Sequence, residues 1–180
     1  MSGPQLVFGY GSLAAGGGGT RAQLRGHRRV WGVAMDNSRD LPGYKHYLLR
    51  CDGSRPAVHV AFLDIVPDPE SVVEGIVLAV DEASLRELDQ RERNYDRVDV
   101  TAAVVGTTGT VWAYVGSPQG RARLREGRDR DSAVISREYL EVVRARSGPA
   151  QLTAREPSSD LDGLDVWDLV RVPHSGRAPR

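Results

Sequence analysis

Within residues 1–115 the chain offers six short runs suited to β-strands and one stretch with a helical period. That ratio limits what it can fold into. The runs lie at 6–10, 29–35, 58–65, 72–80, 96–105 and 109–115, with a weaker one at 44–49. Each is apolar or β-branched and bounded by glycine, proline or polar residues, as strands are. Gly106-Thr107-Thr108-Gly109 joins the last two as a hairpin. There is no repeated βα alternation, so a doubly wound parallel sheet is excluded. Beyond residue 116 the signals weaken. Residues 117–132 read as irregular, with the arginine-rich 121–130 as a solvated loop. Ser136 can cap a helix to 146 with Tyr139, Leu140 and Val143 on one face, and 161–172 would dock as an extension. We expect one domain over residues 1–172 and a flexible tail over 173–180.

The helical stretch follows Asp81, a natural N-cap, and reads as one helix over 82–94. At about 100° per residue, Leu85, Leu88, Glu92 and Tyr95 fall on one stripe. Glu92 thus takes a slot on the buried face. Desolvation raises the pKa of a buried carboxyl, which suits it to proton transfer. On periodicity alone Glu92 is also readable as a helix-end carboxylate that reaches solvent or pairs with an arginine.

Phe8-Gly9-Tyr10-Gly11-Ser12-Leu13 is the second informative segment. Alternate glycines after a strand let backbone approach a ligand closely, and successive N–H groups can form an anion-binding nest. A tight strand-to-loop turn explains the same residues. No Gly-Lys-Ser/Thr follows, so it is not a Walker loop, and it lacks the third glycine of a dinucleotide fingerprint. Gly16–Gly19 is most simply a flexible loop.

Composition removes several classes. Lys and Arg number 24, as do Asp and Glu, which argues against nucleic acid as a partner. No run approaches the roughly 20 apolar residues of a membrane span, and the N-terminal residues lack a signal-peptide pattern, so a cytoplasmic location is expected. Cys51 is the sole cysteine, which excludes an internal disulfide and a thiolate metal site; it reads as a buried or inert thiol. His27, His46, His59 and His174 show no metal-binding spacing, so no metal is expected. Lys45 is the only lysine.

Two motifs together resemble the gamma-glutamylcyclotransferase-like family. Phe8-Gly9-Tyr10-Gly11-Ser12-Leu13 is similar to its Tyr-Gly-Ser loop. Val73-Glu74-Gly75-Ile76-Val77-Leu78-Ala79-Val80, then Leu88-Asp89-Gln90-Arg91-Glu92-Arg93-Asn94-Tyr95, resembles its strand and catalytic-glutamate helix. Val111-Trp112-Ala113-Tyr114-Val115 resembles a later strand ending in an aromatic pocket residue. The resemblance implies an α+β fold, a small closed mixed β-barrel flanked by helices. It implies release of 5-oxoproline from γ-glutamyl amines, amino acids or peptides, with no cofactor. Glu92 would be the catalytic acid and base; Tyr10, Gly11, Ser12, Leu13 and Tyr114 would bind substrate. The expected partner is a small γ-glutamyl molecule, and a homodimer stays open. A non-catalytic binding domain on the same scaffold is the alternative. Residues 36–45 are the place for specialisation, with Asn37, Asp40, Tyr44 and Lys45 as candidate contacts.

Overall fold

Two long strands, β2 (Thr20–Asp36) and β4 (His59–Val80), pair antiparallel from Thr20↔Val77 to Asp36↔His59 and carry the rest of the fold. The computed structural model describes residues 5–13, 18–40, 44–146 and 161–173. The runs at 58–65 and 72–80, expected as separate strands, are one strand. Pro67 and Pro69 lie within it. The chain shifts register between Arg25 and His27, opposite this region, and a bulge is where a strand tolerates proline.

β1 (Gln5–Gly9) lies between β4, antiparallel to it, and β6 (Thr110–Gly116), parallel to it. β5 (Tyr95–Asp99) pairs antiparallel with β6, as the hairpin reading expected, but ends at Asp99; Thr101–Ala103 form a 3-10 turn where the strand was expected to run to 105. At the other end of β4, β7 (Ala133–Ser136) pairs parallel with it, and β8 (Asp165–Trp167) pairs parallel with β7. The order is β5-β6-β1-β4-β7-β8, with β2 also on β4. Among the described residues this path does not close on itself, so the expected closed barrel is not detected. The fold is mixed α+β, a large sheet with three helices. β3 (Lys45–Leu49) and β9 (Leu169–Pro173) form a separate antiparallel pair. Pro173, assigned to the tail, closes β9; 174–180 lie outside the described residues.

Central position explains why β1 is apolar. Val7 and Phe8 are fully buried, Phe8 in one cluster with Leu24, Ile65, Val111 and Ile135. Each such side chain contributes about 1.5–3 kcal/mol. A second cluster around Val33, Val60, Phe62 and Leu169 holds the β3–β9 pair.

The helices correct the sequence reading in two places. α1 runs Glu82–Arg91, with Asp81 Oδ1 accepting from Ser84 N at 2.7 Å, and ends with Glu92 as its cap. It does not continue to residue 94. Buried Asn94 is held by tertiary partners: its carbonyl accepts from Ser117 N at 2.9 Å, and its side chain bonds Tyr44 and Arg123. Those bonds outweigh the helical preference of Arg91 and Arg93. Tyr95 therefore begins β5 and is not on the helix. Residues 117–132, read as irregular, contain α2 (Pro118–Asp129). Ser117 caps it, accepting from Gly120 N at 3.0 Å, and its buried stripe is Gly120, Leu124 and Gly127. Glycines on the inner face hid the periodicity. Gly120 is required there, because a Cβ would stand 2.4 Å from Asn94 O. α3 (Arg137–Arg146) follows the missed strand β7 directly.

One buried charge ties three elements together. Asp64 on β4 is fully buried. Its Oδ1 accepts from Ile65 N at 2.8 Å and Gly116 N at 2.6 Å, and its Oδ2 pairs with Arg121 Nε at 2.9 Å. Arg121, placed by sequence in a solvated loop, thus fixes α2 to β4. Cys51, expected to be buried or inert, is exposed in the turn after β3.

Candidate active site

β1 ends at Gly9, and the chain turns off the end of this central strand into a small open cleft. Its lining is Tyr10, Gly11, Ser12, Leu13, Leu63, Glu92, Tyr95, Tyr114 and Tyr139. All six residues singled out by sequence meet there. The sheet order causes this: β1 and β6 are neighbours, so Tyr10 and Tyr114 come from adjacent strand ends. Tyr10 Oη donates to Tyr114 O at 2.6 Å, and buried Arg29 donates to Tyr10 O at 3.2 Å. Ser12 and Leu13 open a 3-10 turn, whose leading N–H groups have no partner within the turn itself. Gly11 passes close to Tyr139; a Cβ would stand 3.2 Å from its hydroxyl.

Glu92 faces the cleft from the end of α1, not from its buried stripe. Its N–H closes the helix on Leu88 O at 2.8 Å. The side chain is 16% exposed, and both Nε and Nη2 of Arg91 meet its Oε1 at 2.9 Å. It is the only carboxyl group among the lining residues.

The tyrosines differ in what their hydroxyls have left to give. Tyr95 Oη donates to Leu63 O at 2.6 Å. Tyr114 Oη bonds Asp89 Oδ1 at 2.7 Å, and Asp89 is held by Arg97 at 3.1 Å. Tyr139 Oη accepts from Leu63 N at 3.3 Å, which leaves its own hydrogen to donate. Burial, and for Tyr10 next the charge of Asp64, pushes the phenols of Tyr10 and Tyr95 well up. Burial also raises Tyr114 and Tyr139. All four therefore stay protonated near neutral pH.

Leu63, Tyr95 and Tyr139 were not singled out as site residues. Tyr139 reads from sequence as part of an apolar helix face. Its only signal is a polar hydroxyl on that face, which needs a partner when buried.

The candidates in residues 36–45 do not line the cleft. Asn37 is structural: fully buried, it donates to Tyr47 O and Pro56 O, both at 2.9 Å, and accepts from Tyr47 N at 2.8 Å. Asp40 pairs with Arg55, and Tyr44 accepts from Asn94 at 3.2 Å. Residues 41–43, like 14–17 in the glycine run, lie outside the described residues. Lys45 Nζ sits 4.2 Å from the Phe62 ring centroid. Burial first, then Arg171, lowers its pKa from 10.5 to about 8, against the pull of Glu92.

A lysine in that state costs stability wherever it is charged. Below about pH 8 the full penalty applies, and it fades as pH rises towards the unfolded value of 10.5. We expect Lys45→Met to stabilise the fold by about 1–3 kcal/mol at pH 7, a rise of several degrees in Tm. The gain should shrink between pH 8 and 10.5. Thermal melts across that range check it, and an unchanged or lower Tm at pH 7 refutes it.

The scaffold is mixed α+β, with a glycine loop and one carboxylate brought together in a tyrosine-lined cleft. The chain belongs to the family described as Gamma-glutamyl cyclotransferase, AIG2-like, whose model matches residues 7–138. Among solved structures, one described as a gamma-glutamyl cyclotransferase is similar at 15% identity and a TM-score of 0.51, covering 98% of this chain and 93% of that one. An uncharacterized protein from Homo sapiens is similar at 18% identity and a TM-score of 0.52, covering 91% and 89%. At these identities the likeness is one of fold. No curated protein matches the sequence.

Proposed function

We propose that the protein is a cyclotransferase that cleaves a γ-glutamyl amide and releases 5-oxoproline. The observation that carries this reading is the meeting of the Tyr10–Leu13 loop, Tyr114 and Glu92 in one cleft, with Glu92 its only carboxyl group. The backbone N–H groups of Gly11, Ser12 and Leu13 would hold the substrate α-carboxylate, with Tyr10 and Tyr114 as walls. The α-ammonium gives a proton to Glu92, because an ammonium has no lone pair to attack with. The freed nitrogen attacks the γ-carbonyl carbon and closes a five-membered ring. Glu92 returns the proton to the leaving nitrogen as the old C–N bond breaks; the ring nitrogen then gives up its second hydrogen to the regenerated carboxylate, which passes it to the freed amine, so that the amine departs as an ammonium. The reaction is intramolecular, so holding the substrate curled supplies much of the rate.

The test is incubation with a panel of γ-glutamyl amines, amino acids and peptides, assaying 5-oxoproline. We expect release from γ-glutamyl compounds and none from α-glutamyl isomers, which lack the γ-amide that the ring closure cleaves. A folded protein that releases nothing across the panel ends this reading.

One observation favours a second reading. Arg91 holds Glu92 Oε1 through two nitrogens, so the carboxylate also suits a fixed counter-charge for a substrate ammonium. A binding domain of that kind would take up γ-glutamyl ligands and never turn them over.

A further inference from the structure

Main-chain polarity decides which tyrosine of the cleft has a hydrogen free. β4 pairs with β1 over 76–80 and with β7 over 59–60, both on the edge that β2 does not hold. Between them, over 61–75, that edge meets no strand among the described residues. Leu63 lies in this gap, and two phenols stand where a strand would. Tyr95 Oη donates to Leu63 O at 2.6 Å, and Leu63 N donates to Tyr139 Oη at 3.3 Å. A carbonyl only accepts and an N–H only donates. Tyr95 has therefore committed its hydrogen, while Tyr139 accepts one and keeps its own. The other two phenols of the lining are committed as well, Tyr10 to Tyr114 O at 2.6 Å and Tyr114 to Asp89 Oδ1 at 2.7 Å. Ser12, the remaining hydroxyl, is exposed and belongs to the loop itself. The Tyr139 ring is held edge-on by Phe62 at 5.1 Å and Trp31 at 6.1 Å between centroids, so its hydroxyl has a fixed place. A Cβ on Gly11 would stand 3.2 Å from that hydroxyl, which sets the free donor beside the glycine loop.

We propose that Tyr139 is a second catalytic residue, whose hydroxyl donates a hydrogen bond to the γ-carbonyl oxygen and stabilises the oxyanion formed as the ring closes. This rests on the cyclotransferase reading. In the ring being formed, the carbon that bears the carboxylate and the γ-carbonyl carbon are bonded to the same nitrogen. A substrate whose α-carboxylate is held by the N–H groups of Gly11–Leu13 therefore carries its γ-carbonyl close to that loop, where Tyr139 stands. As the nitrogen attacks, the C=O π pair moves onto the oxygen, and it returns when the old C–N bond breaks. Tyr139 keeps its proton throughout, so the proton transfers stay with Glu92. The Leu63 N–H, bonded to the same phenol oxygen, strengthens that phenol as a donor. A donor fixed in advance acts more on the charge of the transition state than on the neutral carbonyl of the bound substrate.

Tyr139→Phe and Tyr95→Phe are the discriminating pair. Each keeps its ring and leaves one main-chain group of Leu63 without its partner, so a merely structural role costs both alike. With γ-glutamyl-alanine, Tyr139→Phe should lose about 10²–10³-fold in kcat while KM changes only a few-fold, and Tyr95→Phe should lose roughly tenfold less. Equal losses in the two variants overturn the proposal, as does a loss in Tyr139→Phe that lies in KM. Infrared difference spectra with 5-oxoproline, labelled with carbon-13 at its ring carbonyl, read the same bond without turnover. We expect the carbonyl band of the bound compound to lie lower in the wild type than in Tyr139→Phe. The same band position in both, or no bound band, overturns the proposal. A ring-fluorinated tyrosine at position 139, a stronger donor, should lower the band further and serves if Tyr139→Phe does not fold. A wild-type protein that releases no 5-oxoproline yet shows the lowered band loses the cyclotransferase reading and keeps Tyr139 as a carbonyl donor; one that shows neither loses both.

Discussion

Glu92→Gln should abolish 5-oxoproline release while leaving substrate binding largely intact. Glutamine keeps the shape and one acceptor oxygen but takes no proton near neutral pH. General acid–base assistance is worth roughly 10²–10⁴-fold, and here one group serves both proton transfers, so the loss should lie at or above the upper part of that range. Binding rests on the Gly11–Leu13 loop and the tyrosine walls, so affinity should fall far less, by the lost attraction to the ammonium. Turnover and calorimetric titration on the same preparation measure both. The counter-charge reading expects the reverse: no turnover in the wild type and a marked loss of affinity in the variant.

Asp64→Ala should be the most destabilising single change considered. It removes the partner of Arg121 and the acceptor of the Gly116 and Ile65 N–H groups. Leaving two buried N–H groups without an acceptor costs about 1–3 kcal/mol each, about 3–5 kcal/mol together, while Arg121, 37% exposed, turns partly to solvent. In a chain of this size that lowers Tm by roughly 6–20 °C. The double variant Asp64→Ala/Arg121→Met should lose less than the sum of the two single changes. A single variant that melts within a degree or two of wild type would show that Arg121 is satisfied by solvent and that Asp64 is replaceable. Leu63 and Gly116 flank this hub, so surviving activity should also fall.

The strands around the site were legible because β1, β6 and the ends of β4 are apolar and β-branched. That Tyr10–Leu13, Glu92 and Tyr114 belong together was legible because their motifs are local, and they meet in one cleft. What failed was decided by distant partners. Asn94 stops α1 because Ser117, Tyr44 and Arg123 take its groups, and nothing between Asp81 and Tyr95 announces them. α2 escaped notice because its inner stripe uses Gly120 and Gly127 for close approach, whereas a helix pattern is sought in larger apolar residues. Tyr139 reaches the cleft only because β7 docks on β4 and turns α3 over Leu63.

The place of β1 bears on how the molecule is made. Gln5 is paired with both Val80 and Thr110, so the earliest strand in the chain waits for two of the later ones. Such long-range pairings close large loops before they are repaid and make folding slow. During synthesis, the β2–β4 pair can zip as soon as β4 exists, but the Tyr10–Leu13 loop has no fixed position until β6 arrives. The cleft thus forms late, after β6 and then the α3 helix with Tyr139 have been made, and a partly made chain carries its glycine loop without the wall it must face.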